Sequence, residues 1–137
     1  MLAVRLVLVD DNPAMLETLA EMLQRDFTIV GRFSSAAPML ADVGRLNPDI
    51  ILLDISLGDM TGFYAAKRLK SMGCAAKIIF LSVHENPDFV RAAFDLGAAG
   101  YVYKSQISSD LLNALDAVSH GGRFVPSSSS APNELVL

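Results

Sequence analysis

The sequence contains five short apolar runs, and four of them are followed directly by a residue type that can do chemistry. Asp10 and Asp11 follow the first run, Asp54 the third, Ser82 the fourth and Lys104 the fifth. Phosphoryl transfer needs such groups: a carboxylate to attack, others to hold a cation, and a hydroxyl and an ammonium to receive the incoming oxygens. The five residues predict this chemistry if the fold brings the run ends together.

The apolar runs themselves predict strands that are buried on both faces, because they are continuous rather than alternating. They cover residues 4–9, 27–33, 50–53, 78–81 and 100–103. Stretches of helical length lie between and after them. Two of these carry clear apolar stripes at helical spacing: Met15, Leu16, Leu19, Met22 and Leu23, then Ile107, Leu111, Leu112, Leu115 and Val118.

Local signals mark several helix ends. Asn12 and Asn86 each precede a proline, a combination that places a capping side chain before a first turn. Gly97 and the pair at 121–122 are typical helix stops. Five strands alternating with five helices predict an α/β fold, a single doubly wound parallel sheet of the flavodoxin-like order 2-1-3-4-5.

In that strand order the first and third strands are neighbours, so three carboxylates converge in one cleft. Asp10, Asp11 and Asp54 would repel one another there unless a cation compensated them. Because the site contains oxygen ligands and no His or Cys, the favoured cation is Mg²⁺, which shares its remaining positions with water and phosphate. Lys104 and Ser82 would face the same cleft from the far side.

Length and composition limit the number of domains and the kinds of function that the chain can have. The chain has 137 residues, enough for one domain, and a net charge of −4 from 11 basic and 15 acidic side chains. This balance argues against direct nucleic-acid binding. No run is long and apolar enough for a membrane span, and the lone Cys74 excludes an internal disulfide. We expect a cytoplasmic domain over residues 1–122, followed by a linker or tail over 123–137 that contains four consecutive serines.

Four segments together resemble a two-component response regulator receiver domain of the CheY type. They are residues 8–12 (Leu-Val-Asp-Asp-Asn), 49–54 (Asp-Ile-Ile-Leu-Leu-Asp), 81–82 (Leu-Ser) and 97–104 (Gly-Ala-Ala-Gly-Tyr-Val-Tyr-Lys). The last segment, with residues 121–126, further resembles the NarL/FixJ-like subfamily. Members of that subfamily usually carry a helix-turn-helix DNA-binding domain after a short linker. We expect either a truncated regulator, with DNA bound only through the absent domain, or a stand-alone receiver.

The resemblance implies a role for each site residue. Asp54 would be the phosphoacceptor, receiving the group from a sensor histidine kinase. Asp10 and Asp11 would hold Mg²⁺ with Asp54 and the backbone carbonyl of Ser56. The phosphoryl oxygens would be bound by Lys104 and Ser82. Tyr101 would be the switch aromatic, turning inward as Ser82 moves. The domain would be regulatory rather than an enzyme, catalysing only its own phosphoryl capture and hydrolysis, and phosphorylation could drive homodimerisation.

Four features depart from the family pattern or vary within it. Gly58 stands where members commonly have proline, which predicts a looser loop. Ser105 also replaces a common proline, and we expect a trans Lys104–Ser105 bond because a cis bond costs roughly 2.5–4 kcal/mol. Ser82 replaces threonine but keeps the hydroxyl. Ser56 and His84 lie where members vary and where phosphoryl lifetime is tuned, although a loop histidine without a chemical role is the simpler interpretation of His84.

Three other functions are open to such a fold. A pseudo-receiver would bind partners without phosphorylation; the complete set of site residues disfavours it, whereas Gly58 and Ser105 keep it open. A phosphatase of the haloacid dehalogenase kind would need a second acid two residues after the nucleophile, where this chain has Ser56. A flavodoxin would need a phosphate loop in place of the Asp-Asp-Asn-Pro that follows the first strand.

Overall fold

A five-stranded parallel sheet with helices on both faces forms the protein in the computed structural model, which describes residues 3–126. In chain order the elements are β1 (Arg5–Val9), α1 (Pro13–Leu23), β2 (Thr28–Phe33), α2 (Ala36–Leu46), β3 (Ile50–Leu53), α3 (Gly62–Ser71), β4 (Lys77–Ser82), α4 (Pro87–Asp95), β5 (Gly100–Tyr103), a 3-10 turn (Lys104–Gln106) and α5 (Ile107–Ser119). The strand order is β2-β1-β3-β4-β5, with every pair parallel. The predicted fold class, strand order and number of α-helices are confirmed.

The alternation of side chains along the strands divides the interior into two apolar cores. Val7 and Val9 of β1 point to the face covered by α2, α3 and α4, while Leu6 and Leu8 point to the face covered by α1 and α5. Strands β1, β3 and β4 lie in the middle of the sheet, so both faces of each are covered. This explains their continuous apolar runs.

The second predicted strand departs from this pattern. Residues 27–33 were expected to be buried on both faces, but every residue of β2 is half-buried or exposed. The reason is its place at the edge of the sheet, where only β1 pairs with it. β5 lies at the other edge and is nevertheless fully buried. Its two aromatic residues, Tyr101 and Tyr103, are covered by the helical layer on the side of α4.

The helix signals are confirmed in most particulars. Asn12 accepts from the backbone N–H groups of Ala14 and Met15 at the start of α1, and Asn86 accepts from Asp88 at the start of α4. Leu112 is a wrong assignment. It is 46 % exposed, because the buried stripe of α5 passes through Leu111, Ala114, Leu115 and Val118. Within residues 3–126, no helix is both long and apolar enough to cross a bilayer.

The chain after α5 returns to the outer edge of β5 and covers it. The backbone N–H of Phe124 donates to Ala99 O at 3.0 Å, and the N–H of Tyr101 donates to Phe124 O at 3.2 Å. The predicted boundary between residues 122 and 123 stays a prediction, and the structure adds that the first residues beyond it pair with the sheet. The four serines at 127–130 lie outside the described residues.

One glycine is required where α3 begins. A Cβ on Gly62 would collide with the backbone carbonyl oxygen of Asp54, because the start of α3 packs directly on the end of β3. The N–H of Gly62 also donates to Ile55 O at 2.6 Å, which closes the loop between β3 and α3. Gly58, in the same loop, has no atom within 4 Å of the position its Cβ would occupy.

We therefore expect opposite effects from two alanine substitutions in this loop. Gly62→Ala should lower the free energy of unfolding by about 1–3 kcal/mol, since backbone atoms must move to admit the methyl group. Gly58→Ala should leave it unchanged or raise it by roughly 0.4–1 kcal/mol through the entropy of the unfolded chain. Urea unfolding monitored by circular dichroism measures both. Equal stabilities for the two variants would contradict this packing.

Candidate functional site

Ladder hydrogen bonds that continue past the strand ends position two of the predicted carboxylates. The N–H of Asp10 donates to Phe33 O of β2, and the N–H of Asp54 donates to Val9 O of β1, both at 3.0 Å. Their side chains are consequently fixed at the carboxyl edge of the sheet and are almost completely buried, Asp10 at 1 % and Asp54 at 4 % exposure. Buried carboxylates are rare without a compensating partner, so their location calls for one.

The three predicted metal ligands do come together. Asp10, Asp11 and Asp54 each offer a carboxylate oxygen, and these oxygens lie within 4.8 Å of one another. Asp11 differs from the other two in being exposed, so the cluster opens to solvent on its side. The arrangement offers two inner oxygens and an outer one to a ligand entering from that side.

Lys104 partly compensates the two buried carboxylates. Its Nζ lies 2.8 Å from Asp10 Oδ2 and 3.1 Å from Asp54 Oδ2, and its side chain is 14 % exposed. Because Lys104 follows β5, its side chain passes the end of β4 to reach the carboxylates that follow β3 and β1. One ammonium between two carboxylates leaves one negative charge uncompensated, and Asp11 adds a second.

Burial and the neighbouring charges move both ionisation equilibria. Burial raises the pKa of Asp54, and repulsion from Asp10 raises it further; Lys104 and the Ser56 N–H only partly oppose this. For Lys104, burial alone would lower the pKa. The combined attraction of Asp10 and Asp54 outweighs it, and the pKa of the ammonium is raised. Lys104 is thus held in its charged form, while ionised Asp54 is less stable than an ordinary carboxylate.

The donor set fits a divalent cation. Asp10 Oδ2 is buried and has no hydrogen-bond donor, since the nearby Lys104 ammonium contacts it without the angles of a hydrogen bond. Its other oxygen accepts from the Asn12 N–H at 2.9 Å. An oxygen-only site with excess negative charge, in which a buried oxygen has an ion pair but no aligned hydrogen bond, suits Mg²⁺.

The predicted switch residues lie beside the cluster. Ser82 is fully buried at the end of β4, and its Oγ accepts from the His84 N–H at 3.0 Å. The Tyr101 ring is already buried, with its hydroxyl donating to His84 O at 2.7 Å. Burial raises the pKa of Tyr101 to about 12, against the opposing influence of Ser82. The expected inward turn of the ring stays a prediction about a change of state.

His84, which the sequence predicts to be a loop histidine without a chemical role, contacts the loop that follows Asp54. Its Nε2 lies 3.2 Å from Ser56 Oγ, and its ring packs edge-on against Phe89 at 4.2 Å between centroids. Because the Ser56 N–H also donates to Asp54 Oδ1 at 3.2 Å, the histidine joins the loop after the acceptor to the loop after β4. The matched placement of Ser56 and His84, each two residues after a site residue, was the available signal.

The loop after β5 shows what replaces the usual proline. Throughout residues 3–126 the peptide bonds are trans, so the expectation for Lys104–Ser105 is confirmed. The Ser105 hydroxyl donates to Glu85 Oε2 at 2.7 Å, and the Tyr103 hydroxyl reaches Glu85 O at 3.5 Å. The segment that presents Lys104 is therefore tied to the loop after β4.

Comparison with known proteins agrees with this geometry. The family model described as "Response regulator receiver domain" matches residues 6–116. The chain is 30% identical over 123 residues to the transcriptional regulatory protein DesR of Bacillus subtilis (strain 168), covering 88% of this chain and 61% of that protein. It is 30% identical over 118 residues to the nitrate/nitrite response regulator protein NarL of Escherichia coli (strain K12), covering 85% and 55% respectively. The chain thus spans little more than half the length of these relatives.

Solved structures give the same result. The isolated REC domain of RcsB from Salmonella enterica serovar Typhimurium, with the phosphomimetic BeF3-, aligns with a TM-score of 0.87 at 28% identity over 94% of this chain and 97% of that one. The signal receiver domain of the response regulator NarL from Mycobacterium tuberculosis aligns with a TM-score of 0.80 at 27% identity, over 87% and 98%. Both likenesses cover most of the chain.

The raised pKa of Asp54 predicts a pH-dependent stability penalty. The pKa of Asp54 is near 3.8 in the unfolded chain and higher in the folded protein. At pH values between the two pKa values the folded state binds more protons than the unfolded state, so the free energy of unfolding falls as pH rises through this range. In metal-free protein, Asp54→Asn should therefore be more stable than wild type at neutral pH, and its advantage should shrink toward about pH 4. Urea unfolding in chelator across this range measures the difference.

The exposed Asp26, in the turn after α1, supplies the matched control for that experiment. Asp26→Asn removes the same charge from the surface and should give no comparable increase in the free energy of unfolding at neutral pH. Wild-type protein equal to or more stable than Asp54→Asn at neutral pH would contradict the origin assigned to the pKa shift.

Proposed function

This chain belongs to the response regulator receiver family, and from that premise we propose that Asp54 accepts a phosphoryl group from a partner histidine kinase in a Mg²⁺-dependent step. The single observation that carries the proposal is the buried Asp54 carboxylate, held between a carboxylate pair and the Lys104 ammonium at the edge of the sheet. Three of the other groups that phosphoryl transfer needs, Asp10, Asp11 and Lys104, lie close to that one side chain.

The transfer is a substitution at phosphorus. A carboxylate oxygen of Asp54 attacks the phosphorus of a phosphohistidine, the P–N bond breaks, and its electron pair stays on the imidazole of the kinase. The product is an aspartyl phosphate, which later loses its group to water.

Asp10, Asp11, Asp54 and the backbone carbonyl of Ser56 would hold Mg²⁺. The ion supplies charge neutralisation for the phosphoryl oxygens as they approach three carboxylates. The protein's own contribution is to keep the two inner carboxylates fixed by backbone hydrogen bonds, so little reorganisation is needed during transfer.

Lys104 and Ser82 would carry the response. The ammonium now lies between Asp10 and Asp54, and a phosphoryl group on Asp54 would offer it new anionic oxygens. The Ser82 hydroxyl would leave the His84 N–H for the same group, which would release the loop that also accepts the Tyr101 hydroxyl. Such differential contacts bias a two-state domain by about 1–3 kcal/mol in typical cases.

The output is proposed to be transcriptional. DesR is named a transcriptional regulatory protein, and a solved RcsB structure is described as a complex with DNA. Those proteins are longer than the part this chain matches, so DNA binding here would belong to a C-terminal helix-turn-helix domain. Homodimerisation on phosphorylation would link the modification of Asp54 to DNA binding by that domain.

The proposal predicts phosphoryl labelling of a single residue. Incubation with acetyl phosphate and Mg²⁺ should add one phosphoryl group per chain, measured as intact-protein mass, and chelator should prevent the gain. Asp54→Asn should abolish labelling while preserving the circular dichroism spectrum, because the nucleophilic carboxylate is lost and the backbone is unchanged.

Asp49→Asn is the matched control, since Asp49 is an exposed carboxylate at the opposite end of β3 and should label normally. Labelling of Asp54→Asn at the wild-type level would overturn Asp54 as the acceptor. Wild-type protein that gains no mass from any phosphodonor would instead favour the pseudo-receiver, which acts by binding alone.

A further inference from the structure

Asp59 makes two hydrogen bonds across the fold that the proposed function does not use. It lies in the loop between β3 and α3, and its carboxylate reaches the first turn of α2. Oδ1 accepts from the Ala36 N–H at 3.0 Å and Oδ2 accepts from the Ala37 N–H at 2.8 Å. These contacts join segments 22 and 23 residues apart in the sequence.

The contact supplies a cap that α2 does not provide for itself. Ser35 occupies the N-cap position, but its side chain makes no capping hydrogen bond. The first amides of a helix lack partners within it and carry partial positive charge, so a carboxylate is well placed there. The two N–H bonds lower the pKa of Asp59 below its usual value, consistent with a persistent contact.

The same contact fixes the tip of the acceptor loop. At its base, this loop is closed by the bridge between Ser56 and Thr61 and by the hydrogen bond from Gly62 to Ile55. At its tip stands Gly58, which has no side chain to make a contact. Family members commonly have proline at this position, and proline would have restricted the backbone. Asp59 is the next residue, and its attachment to α2 restrains the tip from outside the loop.

We infer that Asp59 is a positioning residue for the metal site: by attaching the acceptor loop to α2, it holds the backbone of Ser56 in place beside Asp54. The inference rests on the proposed function, which assigns the Ser56 carbonyl to Mg²⁺. The Ser56 N–H already donates to Asp54 Oδ1, so a displaced loop would disturb both the proposed metal ligand and the orientation of the acceptor. Asp59 itself touches neither.

The test is Mg²⁺ affinity, measured without phosphorylation by NMR titration of labelled protein with MgCl₂. Asp59→Ala removes both hydrogen bonds and should raise the Kd for Mg²⁺ about tenfold, the lower end for loss of a supporting contact around a metal ligand. Asp59→Asn keeps one acceptor oxygen and should give an intermediate Kd. The Ala36 and Ala37 amides should lose hydrogen-exchange protection in the alanine variant.

Asp49→Ala is the matched control. Asp49 also accepts a backbone hydrogen bond from a distant segment, from the Arg5 N–H at 2.8 Å, but at the opposite end of the sheet. Its removal changes net charge equally and should lower thermal stability while leaving the Kd for Mg²⁺ unchanged. Repeating the titrations in about 0.5 M KCl separates positioning from charge, because salt screens the field of an exposed carboxylate.

Three results together would support the inference. The Kd for Mg²⁺ rises in Asp59→Ala, this rise relative to wild type persists in high salt, and the Kd is unchanged in Asp49→Ala. An unchanged Kd for Asp59→Ala, or a rise that disappears in high salt, would overturn it and leave the proposed function intact. Wild-type protein that binds no Mg²⁺ would overturn both.

Discussion

The structure depends on one electrostatic constraint: two carboxylates are held by backbone hydrogen bonds in a buried place where their charges are not balanced. Asp10 and Asp54 are held in place because the Asp10 N–H extends the β1–β2 ladder and the Asp54 N–H extends the β1–β3 ladder. Lys104 reduces the repulsion without removing it, and the pKa of Asp54 stays raised. Buried charges of this kind reduce stability unless they are compensated, which is characteristic of sites arranged for a ligand rather than for packing.

The surrounding contacts connect this charge cluster to the two loops beside it. Ser56 donates its N–H to Asp54 and contacts His84 through its hydroxyl. His84 in turn donates its N–H to Ser82 and accepts from Tyr101 through its carbonyl. A change of charge at Asp54 therefore acts on a continuous set of hydrogen bonds that ends at a buried aromatic ring of β5. That connection is the physical basis on which a receiver could convert a local modification into an altered surface.

Most of the fold and the charged residues of the site could be predicted from the sequence, because they follow from periodicity and from the ends of buried strands. The exposure of β2 is not visible in its apolar run, and it follows only from the predicted strand order, which places this strand at the edge of the sheet. Leu112 was misplaced because a broad apolar stripe does not fix the rotation of α5. His84 and Asp59 contact residues that lie 22 to 28 positions away in sequence, Ser56 and the start of α2 respectively. Contacts of that kind leave no local pattern.

The most direct test of the account is a crystal structure of this chain with Mg²⁺ and beryllofluoride, in which the position of Lys104 Nζ is compared with its present place 2.8 Å from Asp10 Oδ2. We expect Mg²⁺ between Asp10, Asp11 and Asp54, beryllofluoride on an Asp54 oxygen, and the Lys104 ammonium moved onto a fluoride. The contrary result is a structure in which neither ligand is bound at saturating concentrations and Lys104 is still paired with Asp10. It would contradict the claim that the unbalanced carboxylates exist to receive a metal and a phosphoryl group.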